Sequence, residues 1–126
     1  MQTGERVADR FVIRDLADRG ASGAVYRATD TTTNADVALK IIDSETLEEH
    51  FLREARVLEG LRHPTIVSYV AHGTTADGRV YLALEWLDGE TLSRRLREGP
   101  LSLQGALAIA RAVADALAHS ASFIAT

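Results

Sequence analysis

The chain has 126 residues, of which 46% are hydrophobic and 25% charged, with a net charge of −4. This length and balance predict one globular domain and exclude a disordered chain, and the acidic charge argues against nucleic acid as a partner. The sequence contains no cysteine, which excludes disulfides and thiolate metal sites and fits a cytoplasmic protein. Because no uninterrupted apolar run is long enough to cross a bilayer, we expect no membrane partner.

Alternating apolar residues predict three strands near the start of the chain. Residues 11–16 and 24–28 are short strands separated by a turn that contains glycine. Residues 36–42 form the third strand, in which Val37, Leu39 and Ile41 share one face and Ala38 and Lys40 the other.

A helix is predicted next, because apolar residues recur at spacings of three and four. This stripe consists of Leu47, Phe51, Ala55, Leu58 and Leu61, and His63-Pro64 ends the helix. Strands at 66–71 and 79–86 follow, with Asp77-Gly78 as a hairpin turn. Helices at 91–97 and 102–120 complete an α+β fold, a five-stranded antiparallel sheet with one packed helix followed by two more helices.

A loop with two glycines is the first candidate functional feature. Gly20 and Gly23 lie between two predicted strands, where the lack of a Cβ lets backbone N–H groups approach phosphate oxygens. The alternative is a simple β-hairpin whose glycines supply positive φ angles. The sequence has no Gly-Lys-Ser/Thr, which excludes a Walker-type phosphate loop.

An ion pair is predicted between Lys40 and Glu54. Glu54 lies between Phe51 and Leu58 on the predicted buried stripe, where a carboxylate is costly unless it is paired. Lys40 on the adjacent strand is the natural counter-charge. The alternatives are that Lys40 extends its ammonium into water along an apolar surface, and that Glu54 lies at the edge of the stripe and is solvated.

These features, in this order, resemble the N-terminal lobe of bacterial eukaryotic-like serine/threonine protein kinases. His63-Pro64-x-Ile66-Val67 and the segment 81–92, with Asp88-Gly89-Glu90-Thr91-Leu92, are also similar to that family. The resemblance implies an ATP site in which Lys40 and Glu54 orient the phosphates. It assigns Leu84 as the gatekeeper, the backbone of Glu85 and Leu87 to the adenine edge, and Val25, Ala38 and Leu92 to the two sides of the ring.

The sequence departs from the family pattern at two places. Asp18 stands where the family has the first glycine of its loop. Two alternatives are open for its carboxylate, which either repels phosphates or points outward and pairs with Arg19. No His-Arg-Asp, Asp-Phe-Gly or Ala-Pro-Glu occurs in these 126 residues, so no catalytic residue and no metal ligand can be assigned. We therefore expect a kinase N-lobe at 8–87, the first helices of an incomplete C-lobe at 88–120 and an aberrant tail at 121–126, for which a shifted reading frame is one hypothesis.

The functional expectation is an ATP-binding kinase fragment that does not transfer phosphate by itself. The helix predicted at 102–120 is apolar on most faces, which favours contact with another protein or self-association. The alternatives are a non-catalytic interaction module, an inert product of gene decay and an unrelated α+β ligand-binding domain.

Overall fold

The computed structural model describes residues 1–20, 23–43 and 45–125, with the backbone alone for 45–46 and 123–125. The chain divides into two compact units. The first comprises Met1–Gly60 and Ser68–Trp86, and the second comprises Leu61–Val67 and Leu87–Thr126.

The first unit contains an antiparallel sheet of six described strands in the order β1-β2-β3-β4-β6-β5. The strands are β1 (Arg6–Val7), β2 (Phe11–Gly20), β3 (Gly23–Asp30), β4 (Ala35–Ile42), β5 (Tyr69–Thr74) and β6 (Val80–Glu85). The five predicted strands are present, which confirms the fold class. The strand predicted at 66–71 begins only at Tyr69 and runs to Thr74, so its predicted start was wrong by three residues. The sixth, β1, is a two-residue strand that pairs with the start of β2 and was not predicted.

Each face of the sheet carries its own apolar cluster. Val37, Leu39 and Ile41 of β4 belong to the larger cluster, together with Phe11 and Tyr81. Ile42 belongs to a second cluster on the opposite face. The predicted alternation of β4 is therefore confirmed.

Helix α1 (Glu45–Gly60) covers the second face of the sheet. Its Phe51 and Ala55 are 4% and 0% exposed and pack with the second cluster. Leu47, by contrast, is 40% exposed. The helix ends at Gly60, before the His63-Pro64 stop that we predicted, which fits the low helix propensity of glycine.

The second unit contains α2 (Leu92–Arg97) and α3 (Leu103–Ala125). Thr91 caps α2, since its hydroxyl accepts a hydrogen bond from the backbone N–H of Arg94 at 3.1 Å. Helix α3 extends five residues beyond the predicted end at residue 120. Four of its large apolar side chains are exposed, namely Leu103, Leu107, Val113 and Leu117. None of the helices in the described part of the chain has the length and hydropathy that a membrane span requires.

Within the second unit, the loop 61–67 is held against α3. The rings of His63 and His119 lie 5.1 Å apart between centroids. The Thr65 hydroxyl donates to the carbonyl of Ala112 at 3.2 Å.

A partly buried ion pair joins Arg10, the residue before β2, to Asp30 at the end of β3. The Arg10 guanidinium donates two hydrogen bonds of 2.9 Å to the carboxylate of Asp30, whose side chain is 1% exposed. The backbone N–H of Thr32 donates a third, at 3.0 Å. The hydrogen bonds from Arg10 hold the pKa of Asp30 below its ordinary value despite the opposing effect of burial.

We expect Asp30→Asn to lower the free energy of unfolding by about 2–3 kcal/mol, because it leaves the Arg10 charge without its partner. Urea unfolding at pH 7 measures this cost. Asp36→Asn is the matched control, since it removes an exposed ion pair with Arg27 and should cost less than about 1 kcal/mol.

The same pair predicts a pH dependence. The Asp30 carboxyl has a lowered pKa in the folded protein, so its contribution is complete above the unfolded value of about 3.9. It is lost as the pH falls through the folded value. The difference in stability between the parent protein and Asp30→Asn should therefore shrink below about pH 4, and a difference that grew with acidity would contradict this account.

Candidate functional site

The candidate site begins as a row of side chains across four strands. Asp18 of β2 pairs with Val25 of β3, Val25 with Lys40 of β4, and Lys40 with Leu82 of β6. Directly paired residues of antiparallel strands project to the same face. This face is the one that carries Ile42 and α1.

A cavity of about 140 Å³ lies along this row. It is lined by Asp18, Gly20, Gly23, Val25 and Lys40. The two predicted loop glycines and the predicted lysine therefore lie together. The residues between the glycines, Ala21 and Ser22, lie outside the described part of the chain, and so does the predicted approach of their N–H groups to phosphate.

The two glycines differ in what their backbone requires. Gly23 has a φ of +153°, and a Cβ on it would lie 1.9 Å from the carbonyl oxygen of Ile41. A Cβ on Gly20 would have nothing within 4 Å. Gly23 is therefore required by the close approach of β3 to β4, whatever the loop binds.

Lys40 and Glu54 line a second cavity, but they are not paired in it. This cavity, of about 180 Å³, is lined by Lys40, Ile42, Leu47, His50, Phe51 and Glu54. The Lys40 ammonium lies 5.7 Å from the centroid of the Phe51 ring, within reach of a cation–π interaction. The Glu54 carboxylate instead lies 3.2 Å from Nε2 of His50.

The prediction that Glu54 lies on the buried stripe of α1 was wrong. Its side chain is 57% exposed. Phe51 and Ala55 are buried, and Glu54 precedes Ala55 by one residue, which is about 100° around the helix. Glu54 therefore lies at the edge of the stripe, as the alternative stated, and this structure does not contain the predicted ion pair with Lys40.

The residues predicted to contact an adenine ring follow along the same sheet face. Ala38 pairs with Leu84, which is half-buried beside the second cluster. The backbone N–H of Glu85 donates to the carbonyl of Ser68 at 2.9 Å. Any main-chain contact from Glu85 to a ligand must therefore use its carbonyl.

The end of this face is held by a stacked arginine that sequence analysis did not single out. The Arg27 guanidinium lies 4.8 Å from the centroid of the Trp86 ring and donates to the Asp36 carboxylate, at 3.0 Å from Nε. Arg27 also pairs with Ala38 across β3 and β4. The alternation of β3 is the signal that would have placed it there.

The remaining predicted residues, Leu87 and Leu92, belong to the second unit. Their side chains are 64% and 45% exposed, and their roles remain predictions. Within the described residues, no group of three or more His, Cys, Asp or Glu side chains could hold a metal ion.

Comparison with known proteins identifies the family. Residues 14–123 match the family model described as a protein kinase domain. This chain belongs to the protein kinase domain family. The resemblance inferred from the glycines, Lys40 and the segment 81–92 is thereby confirmed.

The relatives of this kinase domain include named bacterial serine/threonine protein kinases. It is 38% identical over 120 residues to PknE of Mycobacterium tuberculosis and 33% identical over 127 residues to PrkC of Bacillus subtilis. These matches cover 88% and 95% of this chain but only 21% and 19% of those proteins.

A solved structure shows the same fold. The kinase domain of Mycobacterium tuberculosis PknI superposes with a TM-score of 0.82 at 25% identity, over 95% of this chain and 50% of that one. The kinase domain described here therefore spans half of the solved chain.

We expect Gly23→Ala to lower the free energy of unfolding by about 2–4 kcal/mol, through overlap with Ile41 and an unfavourable φ. Gly20→Ala, in the same loop, should change it by less than about 1 kcal/mol, because its Cβ meets open space. Urea unfolding of both variants measures the difference, and equal losses would contradict the close approach seen at Gly23.

Proposed function

We propose that this chain binds MgATP as the nucleotide-holding part of a serine/threonine protein kinase domain. The observation that carries the proposal is the cavity that joins Gly20 and Gly23 to the ammonium-bearing Lys40. Glycines leave room for phosphate oxygens to reach backbone N–H groups, and an ammonium neutralises part of their charge.

The adenine ring would lie on the apolar part of the same face. Val25, Ala38 and Leu84 are all partly exposed there, so they present apolar surface without being part of the sealed core. The Glu85 carbonyl would accept from the exocyclic amino group of adenine. The family resemblance also assigns the backbone of Leu87 to the adenine edge and the side chain of Leu92 to one side of the ring.

The chain supplies few of the groups that phosphoryl transfer requires. The family reaction moves the γ-phosphate of ATP to a protein hydroxyl and needs an aspartate near that hydroxyl and ligands for Mg²⁺. The sequence lacks the motifs that carry both, and its described residues offer no metal cluster. We therefore expect Mg²⁺ to arrive on the ATP phosphates, and the 126-residue chain alone to transfer no phosphate.

Thermal unfolding in the presence of MgATP tests the binding proposal. A ligand that binds only the folded state must raise the melting temperature, so we expect a rise that grows with MgATP concentration. Lys40→Ala should abolish most of this rise, because it removes the cation from the cavity. Arg56→Ala, which removes an exposed cation from α1, should leave the rise unchanged.

Two results of that experiment would count against the proposal. An identical melting temperature with and without MgATP would remove nucleotide binding. A broad transition without cooperativity would favour the inert alternative.

The predicted pairing of Lys40 with Glu54 becomes a proposal about the bound state. Both residues line one cavity, and the exposed partner of Glu54, His50, offers only weak competition, since exposed ion pairs contribute about 0–1 kcal/mol. We expect Lys40 and Glu54 to form their ion pair when MgATP is bound.

A double-mutant cycle on MgATP affinity measures this coupling. Lys40→Ala and Glu54→Ala should show an interaction energy of about 0.5–1.5 kcal/mol. The cycle between His50→Ala and Lys40→Ala should show none. Additive effects of Lys40→Ala and Glu54→Ala would mean that the two residues act separately.

A further inference from the structure

Asp18 brings a carboxylate into the cavity that is proposed to hold phosphates. It lines that cavity together with Lys40, in the row that leads from Asp18 through Val25 to Lys40. Its Oδ1 accepts the backbone N–H of Arg19 at 2.8 Å. Within the described part of the chain, no cation forms an ion pair with this carboxylate.

A β-bulge places Asp18 on this face. Leu16 pairs with Tyr26 and Asp18 pairs with Val25, so two steps along β2 match one step along β3. Without the additional residue, Ala17, regular pairing would set position 17 opposite Val25 and turn Asp18 to the other face. The second of the two register shifts between β2 and β3 therefore sets the Asp18 carboxylate on the face of the sheet that carries Lys40.

We propose that Asp18 makes this site discriminate against uncomplexed polyphosphate, so that nucleotide enters as its magnesium complex. The inference rests on the proposed function. Free ATP carries about two more negative charges than MgATP, and each charge is repelled by the carboxylate. The hydrogen bond from the backbone N–H of Arg19 leaves the negative charge of Asp18 in place. Lys40 is the one positively charged side chain among the described residues that line this cavity.

The variants separate charge from shape. Asp18→Asn keeps an oxygen that accepts the Arg19 N–H but removes the charge. Asp18→Gly introduces the residue that the kinase pattern has at this position. Asp9→Asn changes the net charge equally at an exposed turn outside the residues that line the cavity, and it is the matched control.

Equilibrium dialysis of the 126-residue chain against ATP, inorganic tripolyphosphate and adenosine, with Mg²⁺ and with EDTA, tests the proposal. In EDTA we expect Asp18→Asn to bind ATP and tripolyphosphate about fivefold more tightly than the parent. The reason is that the substitution removes the repulsion between one carboxylate and several phosphate charges, which water and salt screen only in part. The gain should be smaller with Mg²⁺, should shrink in 0.5 M salt, and should be absent for adenosine. Asp9→Asn should bind like the parent.

Three outcomes would overturn the proposal. Equal ATP affinity in the parent and Asp18→Asn would remove the role of Asp18 while leaving nucleotide binding intact. An equal gain for adenosine would mean that Asp18 affects the fold of the loop and not the phosphates. No binding of ATP by the parent, Asp18→Asn or Asp18→Gly would overturn the proposed function and this inference with it.

Discussion

The unbroken register of β3 against β4 is the constraint on which the rest of the first unit depends. It begins at the pair Gly23–Ile42 and ends at Asp30–Ala35 without a shift. A slip of one residue would exchange the two faces of a strand and carry Lys40 into the larger apolar cluster. The two ends of β3 oppose such a slip. At one end, a Cβ on residue 23 would overlap the Ile41 carbonyl oxygen, so only glycine fits there. At the other end, the buried carboxylate of Asp30 is held by the partly exposed Arg10.

This register also places Lys40 at the candidate site. Lys40 lies on the face of β4 that carries α1, where Ile42 and Phe51 are buried but Lys40 itself is only partly covered. Its stem can follow the apolar surface while its ammonium reaches the cavity beside the glycines. The pairing of β3 with β4 thus fixes the position of Lys40. Asp18, which differs from the kinase pattern, lines the same cavity as this lysine.

Most of the fold could be predicted from the sequence because strand alternation and helix periodicity are strong over six or more residues. What was missed has specific physical reasons. Strand β1 has two residues, too few to show a period. Asp30 occupies a buried position in the alternation of Ala24, Tyr26 and Ala28, and only its partner Arg10, 20 residues away, makes that position tolerable. Glu54 was misplaced because spacings of three and four define a band of the helix surface and leave the edge of that band open.

The structure puts two demands on the same ammonium group. Lys40 lines both the cavity beside the glycines and the cavity beneath α1, and its –NH₃⁺ has three donors. For Lys40 to bind a phosphate and Glu54 at once, both acceptors must lie within hydrogen-bond distance of its ammonium. In this structure the Glu54 carboxylate lies beside Nε2 of His50 instead. Lys40 lies on β4, which is paired with a strand on each side. Bringing Glu54 to Lys40 therefore needs a rotation of the exposed Glu54 side chain of α1 and no movement of β4. Under the proposed function, nucleotide binding and the orientation of Glu54 would be coupled through Lys40.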